Sequence, residues 1–160
     1  MQAGGSNGIC RVIDAARSPS PDPKRSANTK HRNCSMMTEA ELIATANALA
    51  GEFRTSEDCC AGGVAAAIMS ASGRVYTGIC VDTQCRMGFC AEHAAVAEML
   101  KARESEIALV VAVVSGCKVV APCGRCRELM WQVSPRNRHA MVVIGPGHQV
   151  MLSELLPYGG

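Results

Sequence analysis

The chain is poor in aromatic residues: Phe53, Tyr76, Phe89, Trp131 and Tyr158 make up 3% of 160 residues. A protein that grips single-stranded nucleic acid by stacking bases usually carries more, so no nucleic-acid partner is expected. Charge of one sign is scarce as well. The net charge is +2, too small to draw a polyanion. No window reaches the roughly 18 consecutive apolar residues that a membrane-spanning helix needs, so no membrane partner is expected either. Nor do residues 1–35 contain the apolar stretch of about 7–15 residues that a secretory signal needs.

What remains is rich in core material. Apolar residues account for 48% and charged residues for 19%, enough for one globular domain at this length. Residues 1–35 differ from the rest. They hold Arg11, Arg17, Lys24, Arg25, Lys30 and Arg32 against only Asp14 and Asp22, and three of the seven prolines (Pro19, Pro21, Pro23). Such a composition cannot offset its own ordering entropy, so residues 1–35 are expected to be a disordered N-terminal extension and residues 36–160 the domain. Met36 or Met37 is the expected true start, with an Arg/Ser-rich transit peptide as the alternative for the leader. The ten cysteines come without a signal peptide and in a core-rich chain. They read as reduced thiols of a cytoplasmic protein, some packed as small core residues and some available as ligands.

Past the leader the order of elements is legible. Thr38 and Glu41 form a capping box, and Leu42, Ile43, Ala46, Leu49 and Ala50 follow at helical spacing up to Gly51. The runs 64–70 and 75–81, joined by Ser72-Gly73, predict a β-hairpin. A polar loop over 82–88 leads into a helix of about twelve residues from Phe89, with Ala94, Ala95, Ala97, Met99 and Leu100 as the face that packs on a sheet. The β-branched run 107–114 predicts a strand covered on both faces. An extended segment over 119–121 precedes a helix opened by Pro122 and ended by Ser134-Pro135. Strands at 140–144 and 148–152 and a helical turn at 153–156 complete the chain. The fold class is α/β: a three-layer α/β/α sandwich around a mixed five-stranded sheet.

Two segments carry chemistry. Cys90-Ala91-Glu92 falls at one helix start and Pro122-Cys123-Gly124-Arg125-Cys126 at another. Cysteines three apart on a first turn project to one side, and the dipole at a helix start favours thiolate. Three converging thiolates can hold Zn²⁺ and leave the fourth tetrahedral position open, as in a catalytic rather than a structural site. Glu92, two residues from Cys90, is then placed to move the proton of a water. Two other readings of the cysteines exist: a structural zinc held by Cys85, Cys90, Cys123 and Cys126, and a redox dithiol at Cys123-Gly-Arg-Cys126. Cys59, Cys60, Cys80 and Cys117 read as small buried residues, with Cys59 and Cys80 also candidates for a pocket wall. His31, His139 and His148 read as surface groups, and Met69, Met99, Met130 and Met141 as core or interface packing.

On these paired segments the chain resembles the cytidine deaminase family, in the small three-cysteine branch that includes the blasticidin S deaminases. The likeness covers most of 38–158, including the Leu155-Leu156-Pro157-Tyr158 tail. It implies hydrolytic loss of the amine from a cytosine-type nucleoside, with one Zn²⁺ per subunit held by Cys90, Cys123 and Cys126 and with Glu92 as acid and base. It implies substrate contacts at Cys80, Asp82 and Ala91. Nucleoside-acting members carry an Asn-x-Glu pair where this chain has Cys80 and Asp82, and an aromatic residue where it has Cys60-Ala61-Gly62-Gly63. An aminated nucleoside antibiotic such as blasticidin S is therefore a second substrate class, and a non-catalytic zinc-stabilised binding module is the reading outside enzymes. His93, Arg125 and Arg127 flank the ligands and are candidates to donate to ligand sulfur. For Arg127 a solvated surface position is an equal alternative, and for Arg125 it is the favoured one. The resemblance further implies pyrimidine salvage and a homotetramer whose pockets are built partly by neighbouring subunits.

Overall fold

The computed structural model describes residues 37–159. The expected extension over 1–35 therefore lies outside the described residues, as do Cys10, Cys34, His31 and Met36.

The first helix, α1 (Glu39–Asn47), starts as its capping box requires. The Thr38 amide donates to Glu41 Oε2 at 2.7 Å and the Glu41 amide donates to Thr38 Oγ1 at 3.3 Å, so two otherwise free donors are satisfied reciprocally. The helix stops short of Gly51. The amides of Leu49 and Ala50 turn back to Ala46 and Asn47 in a tightened last turn, and Gly51 then donates to Gly62. Leu49, counted with the apolar face, is consequently 44% exposed.

Next come β1 (Phe53–Ser56), β2 (Cys59–Ser70) and β3 (Val75–Thr83), followed by α2 (Ala91–Lys101). Then follow β4 (Ile107–Val114), β5 (Lys118–Val120), α3 (Gly124–Val133), a 3₁₀ turn (Pro135–His139), β6 (Met141–Gly145), β7 (His148–Met151) and α4 (Leu152–Leu155). The layers are as the pattern predicts, and the strand count is not: the sheet has seven strands rather than five. Five of them form the main layer, β3-β2-β4-β6-β7, in which only β4 and β6 run parallel. The two short additions share edges with longer neighbours. β1 lies beside residues 59–61 of β2, and β5 lies beside residues 112–114 of β4. All four residues of β1 are exposed, so that strand has no buried period to betray it in the sequence.

Alternation along the central strands separates two apolar cores. Leu109, Val111 and Val113 of β4 face α1 through Leu42 and Ala46. Val110 and Ala112 face the opposite side, where α2, α3 and α4 contribute Ala95, Met99, Met130 and Leu152. On α2 the buried stripe is Ala91, Ala95, Val96 and Met99. Ala97 and Leu100, expected on the packing face, are exposed, because a stripe at i, i+4 and i+8 leaves them around the helix. At Gly78 of β3 an added Cβ would run into the Ala91 carbonyl and lie 2.5 Å from the Ala95 amide nitrogen. The absent side chain is what lets α2 lie so close to the sheet.

The 3₁₀ turn carries a side chain whose importance its sequence context conceals. Asn137 is fully buried. Its Oδ1 accepts from the Ile107 amide at 2.8 Å, and its Nδ2 donates to the carbonyls of Ser105 and Met130 at 3.0 and 2.9 Å. One amide group thus joins the start of β4 to the end of α3.

Candidate metal centre and its cavity

Cys90 and Cys123 are the N-cap residues of α2 and α3, each in extended backbone just before its helix turns. The helices therefore begin one or two residues later than Phe89 and Pro122. Since α2 and α3 pack on the same side of the sheet, the two caps meet. Cys90 Sγ lies 3.7 Å from Cys123 Sγ, and Cys126, on the first turn of α3, brings its sulfur to 3.4 Å from that of Cys123. All three sulfurs lie within 4.8 Å of one another, and the cysteines are free.

This set suits a metal ion in both geometry and chemistry. Tetrahedral zinc with Zn–S near 2.3 Å spaces its sulfurs about 3.8 Å apart, close to the separations here. Burial, with the Glu92 carboxylate nearby, pushes the Cys126 thiol far up from its ordinary value. Burial also pushes the Cys123 thiol up, but hydrogen bonds from backbone and from the neighbouring sulfurs outweigh it and leave that thiol below the ordinary value. A divalent cation would compensate the charge of thiolates gathered this closely. Cys85 stands apart from the trio: its sulfur lies 3.5 Å from Thr83 Oγ1, and it is exposed. The four-cysteine arrangement is thus not assembled among the described residues.

The flanking cations divide differently from the expectation. Arg125 donates from Nη2 to Cys90 Sγ at 3.7 Å, and His93 Nδ1 lies 3.4 Å from Cys126 Sγ. Burial, together with the adjacent Arg125 charge, holds the His93 imidazole below its usual value. Arg127 reaches none of the three ligand sulfurs and is no free surface charge. Its Nε donates to the Pro122 carbonyl at 2.7 Å and its Nη1 to the Leu155 carbonyl at 3.0 Å. It braces the turn that carries Cys123 against the C-terminal α4.

A cavity of about 560 Å³ opens onto this cluster. Cys90, Cys123 and Glu92 line it, and Glu92 is only 5% exposed. Ala91, Cys80 and Asp82 also line it. The Cys80 position depends on a bulge in β2. Three residues, Gly62, Gly63 and Val64, stand opposite Cys80 where the ladder slips by two, with Gly62 at φ +80°. The freed Val64 amide donates to Cys80 Sγ at 3.2 Å, and the thiol donates to Asp82 Oδ2 at 3.3 Å. Burial raises the Cys80 thiol above its ordinary value, so it stays a neutral donor.

The remaining cysteines fall in different places. Cys59 and Cys60 are half-buried and Cys59 does not line the cavity, while Cys117, expected in the core, is exposed in a turn at φ +66°. His139 and His148 are exposed as expected. Two wall residues have no signal in the sequence: Phe89, tied to Val81 by a pair of backbone hydrogen bonds, and Arg86, in the loop between β3 and α2. The residue spacing around the metal segments marks the ligands, but it carries no information about which way a loop side chain turns.

No protein-family model matches the chain. Solved structures do resemble it. The cytidine deaminase of Mycobacterium tuberculosis is 27% identical over 74% of this chain and 93% of that one, with a TM-score of 0.62. The cytidine deaminase of Burkholderia pseudomallei is 27% identical over 78% of this chain and all of that one, also with a TM-score of 0.62. A single-substitution variant of the M. tuberculosis enzyme is 25% identical over 78% of this chain and 98% of that one, with a TM-score of 0.66.

Proposed function

From a chain that has the cytidine deaminase fold, we propose a zinc-dependent aminohydrolase that removes the amine from a cytosine-type nucleoside. The observation that carries this reading is the meeting of three cysteine sulfurs beside a cavity whose wall includes two of those cysteines, Cys90 and Cys123, together with Glu92. Cys90, Cys123 and Cys126 hold the ion, and Glu92 supplies a carboxylate beside them. When bound, zinc supplies Lewis acidity that lowers the pKa of a water toward about 7.

The chain's own groups account for the rest of the reaction. Hydrolysis forms a C–O bond at the amine-bearing carbon and breaks the C–N bond. Glu92 takes the proton of the attacking water, delivers it to the ring nitrogen, and then serves the departing ammonia. Arg125 and His93, each beside a ligand sulfur, draw off negative charge that three thiolates would otherwise leave on the centre. Elsewhere on the cavity wall, Asp82 accepts from a substrate hydroxyl with the oxygen that Cys80 does not use.

A second substrate class, an aminated nucleoside antibiotic such as blasticidin S, is favoured by that same pair. The Cys80 thiol already spends its hydrogen on Asp82, so the pocket offers fewer donors to a ribose than an amide side chain would. The test is ammonia release from cytidine, deoxycytidine and blasticidin S by zinc-loaded protein, with Glu92→Gln as control. The expected result is turnover of at least one compound and a loss of roughly 10²-fold or more in Glu92→Gln with zinc retained. If every compound is inert while zinc is bound, the chain is a zinc-stabilised binding module.

A further inference from the structure

The amine-bearing carbon of a substrate must sit against the cysteine trio and Glu92, which leaves the rest of the substrate to the remaining wall of the cavity. That wall includes Asp82 and Thr83 at the end of β3 and Gln84 and Arg86 in the loop that leads to α2. This loop is held at both ends. The Gln84 amide donates to the Asp58 carbonyl at 3.0 Å, and the Arg86 amide donates to Thr83 at 2.9 Å. Beyond it, Phe89 and Val81 exchange hydrogen bonds of 2.9 and 3.0 Å, and Gly88 packs so tightly on Val81 that no Cβ fits.

Within this frame Arg86 adopts φ +58°, a left-handed backbone that a side-chain-bearing residue takes only at a cost. Its charge also has no partner among the described residues. The ion pairs there are Arg74–Glu104 and Arg136–Glu106, and Asp82, four residues before Arg86 and in the same cavity, is not paired with it. The other arginine on the cavity wall, Arg125, is engaged with Cys90. An exposed guanidinium on a cavity wall, without a partner among the described residues, is a ready site for an oxyanion, since its fork matches carboxylate and phosphate oxygens alike.

We propose that the substrate is a cytosine-type nucleoside bearing an anionic group, a phosphate or a carboxylate, at its sugar end, and that Arg86 selects it by pairing with that group. This rests on the deaminase reading of the same cavity. Asp82 complements the selection: it accepts a neighbouring hydroxyl or ammonium and repels an anion placed on its own side, so charge is favoured at one position of the sugar only.

The experiment compares cytidine, cytidine 5′-monophosphate and the 5′-carboxylate of cytidine as ligands. Equilibrium binding is measured by calorimetry on zinc-loaded Glu92→Gln, and kcat/KM by ammonia release on the unaltered protein. One of the two anions is expected to bind roughly tenfold or more tighter than cytidine, as a charge-assisted hydrogen bond allows, and which one wins identifies the anion. The preference should shrink with added salt, collapse toward parity in Arg86→Gln and survive in part in Arg86→Lys. Equal binding of all three ligands would overturn the proposal, as would a preference that persists in Arg86→Gln. The two readings fail separately. Deamination of cytidine without any anion preference removes only the role of Arg86. An anion preference in binding without deamination of any ligand removes only the catalytic reading.

Discussion

Cys90 and Cys123 cap different helices, 33 residues apart in the chain, and their sulfurs lie 3.7 Å from each other. Neither helix could supply this site alone. Each N-cap directs a sulfur away from its own axis, and the sheet beneath α2 and α3 brings the two caps together.

Replacing one member of the trio should therefore remove the metal, not merely weaken it. In Cys90→Ser the zinc content of purified protein, measured by mass spectrometry, is expected to fall from about one ion per chain to near zero. Cys85→Ser should keep its zinc. Loss of zinc in Cys85→Ser would restore the four-cysteine arrangement.

Gly78 sets the spacing between α2 and the sheet, and thereby the position of the Cys90 cap. In Gly78→Ala the new methyl group meets the Ala91 carbonyl and the Ala95 amide, so α2 must move outward. Overpacking of this kind costs about 1–3 kcal/mol, to be read from urea unfolding. Turnover should drop along with stability, because Ala91 and Glu92 ride on the displaced turn. An unchanged unfolding midpoint would show that α2 yields more easily than its contacts imply.

Asn137 ties three backbone groups from different segments together through one buried side chain. Asn137→Ala leaves the Ile107 amide and the Ser105 and Met130 carbonyls without this partner in a buried setting. A loss of about 2–4 kcal/mol in unfolding free energy is expected. Zinc binding by the folded fraction should persist, since none of these groups touches the trio.

Glu104 predicts an acid-dependent part of the stability. Hydrogen bonding from Ser70, with burial opposing it and with Ser72 and Arg74 adding to it, holds this carboxyl down at about 2, against an ordinary 4.5. A carboxyl depressed in the folded state stabilises above its unfolded value. Its contribution is therefore complete above about pH 4.5 and is lost as the pH falls toward about 2. The urea midpoint of the unaltered protein should fall more steeply over that window than that of Glu104→Gln. Parallel curves for the two would remove the Glu104 contribution.

Much of this was legible before any coordinates. The Thr38/Glu41 box, the central run 107–114 and the helix starts beside Cys90 and Cys123 are local signals, written in residues a few positions apart. Other features escaped for identifiable reasons. β1 is wholly exposed and so shows no alternation. The bulge at 62–64 depends on which residues of β3 stand opposite, and Asn137 looks in sequence like any polar residue of a turn. Arg127 illustrates the same limit: its position beside a ligand says nothing of the Leu155 carbonyl it holds 28 residues away.

By itself, then, the order of residues determined which elements form, which side chains can ligate a soft ion and which acid stands next to them, because propensity, capping and spacing act within a turn or two of chain. Tertiary structure alone decided that the three sulfurs share one place, that Arg125 rather than Arg127 reaches one of them, and that Arg86 stands in the cavity wall with no ion-pair partner among the described residues. Those outcomes depend on how distant segments pair across a seven-stranded sheet, where the gain from burying two apolar faces at once selects a single arrangement that no local pattern records.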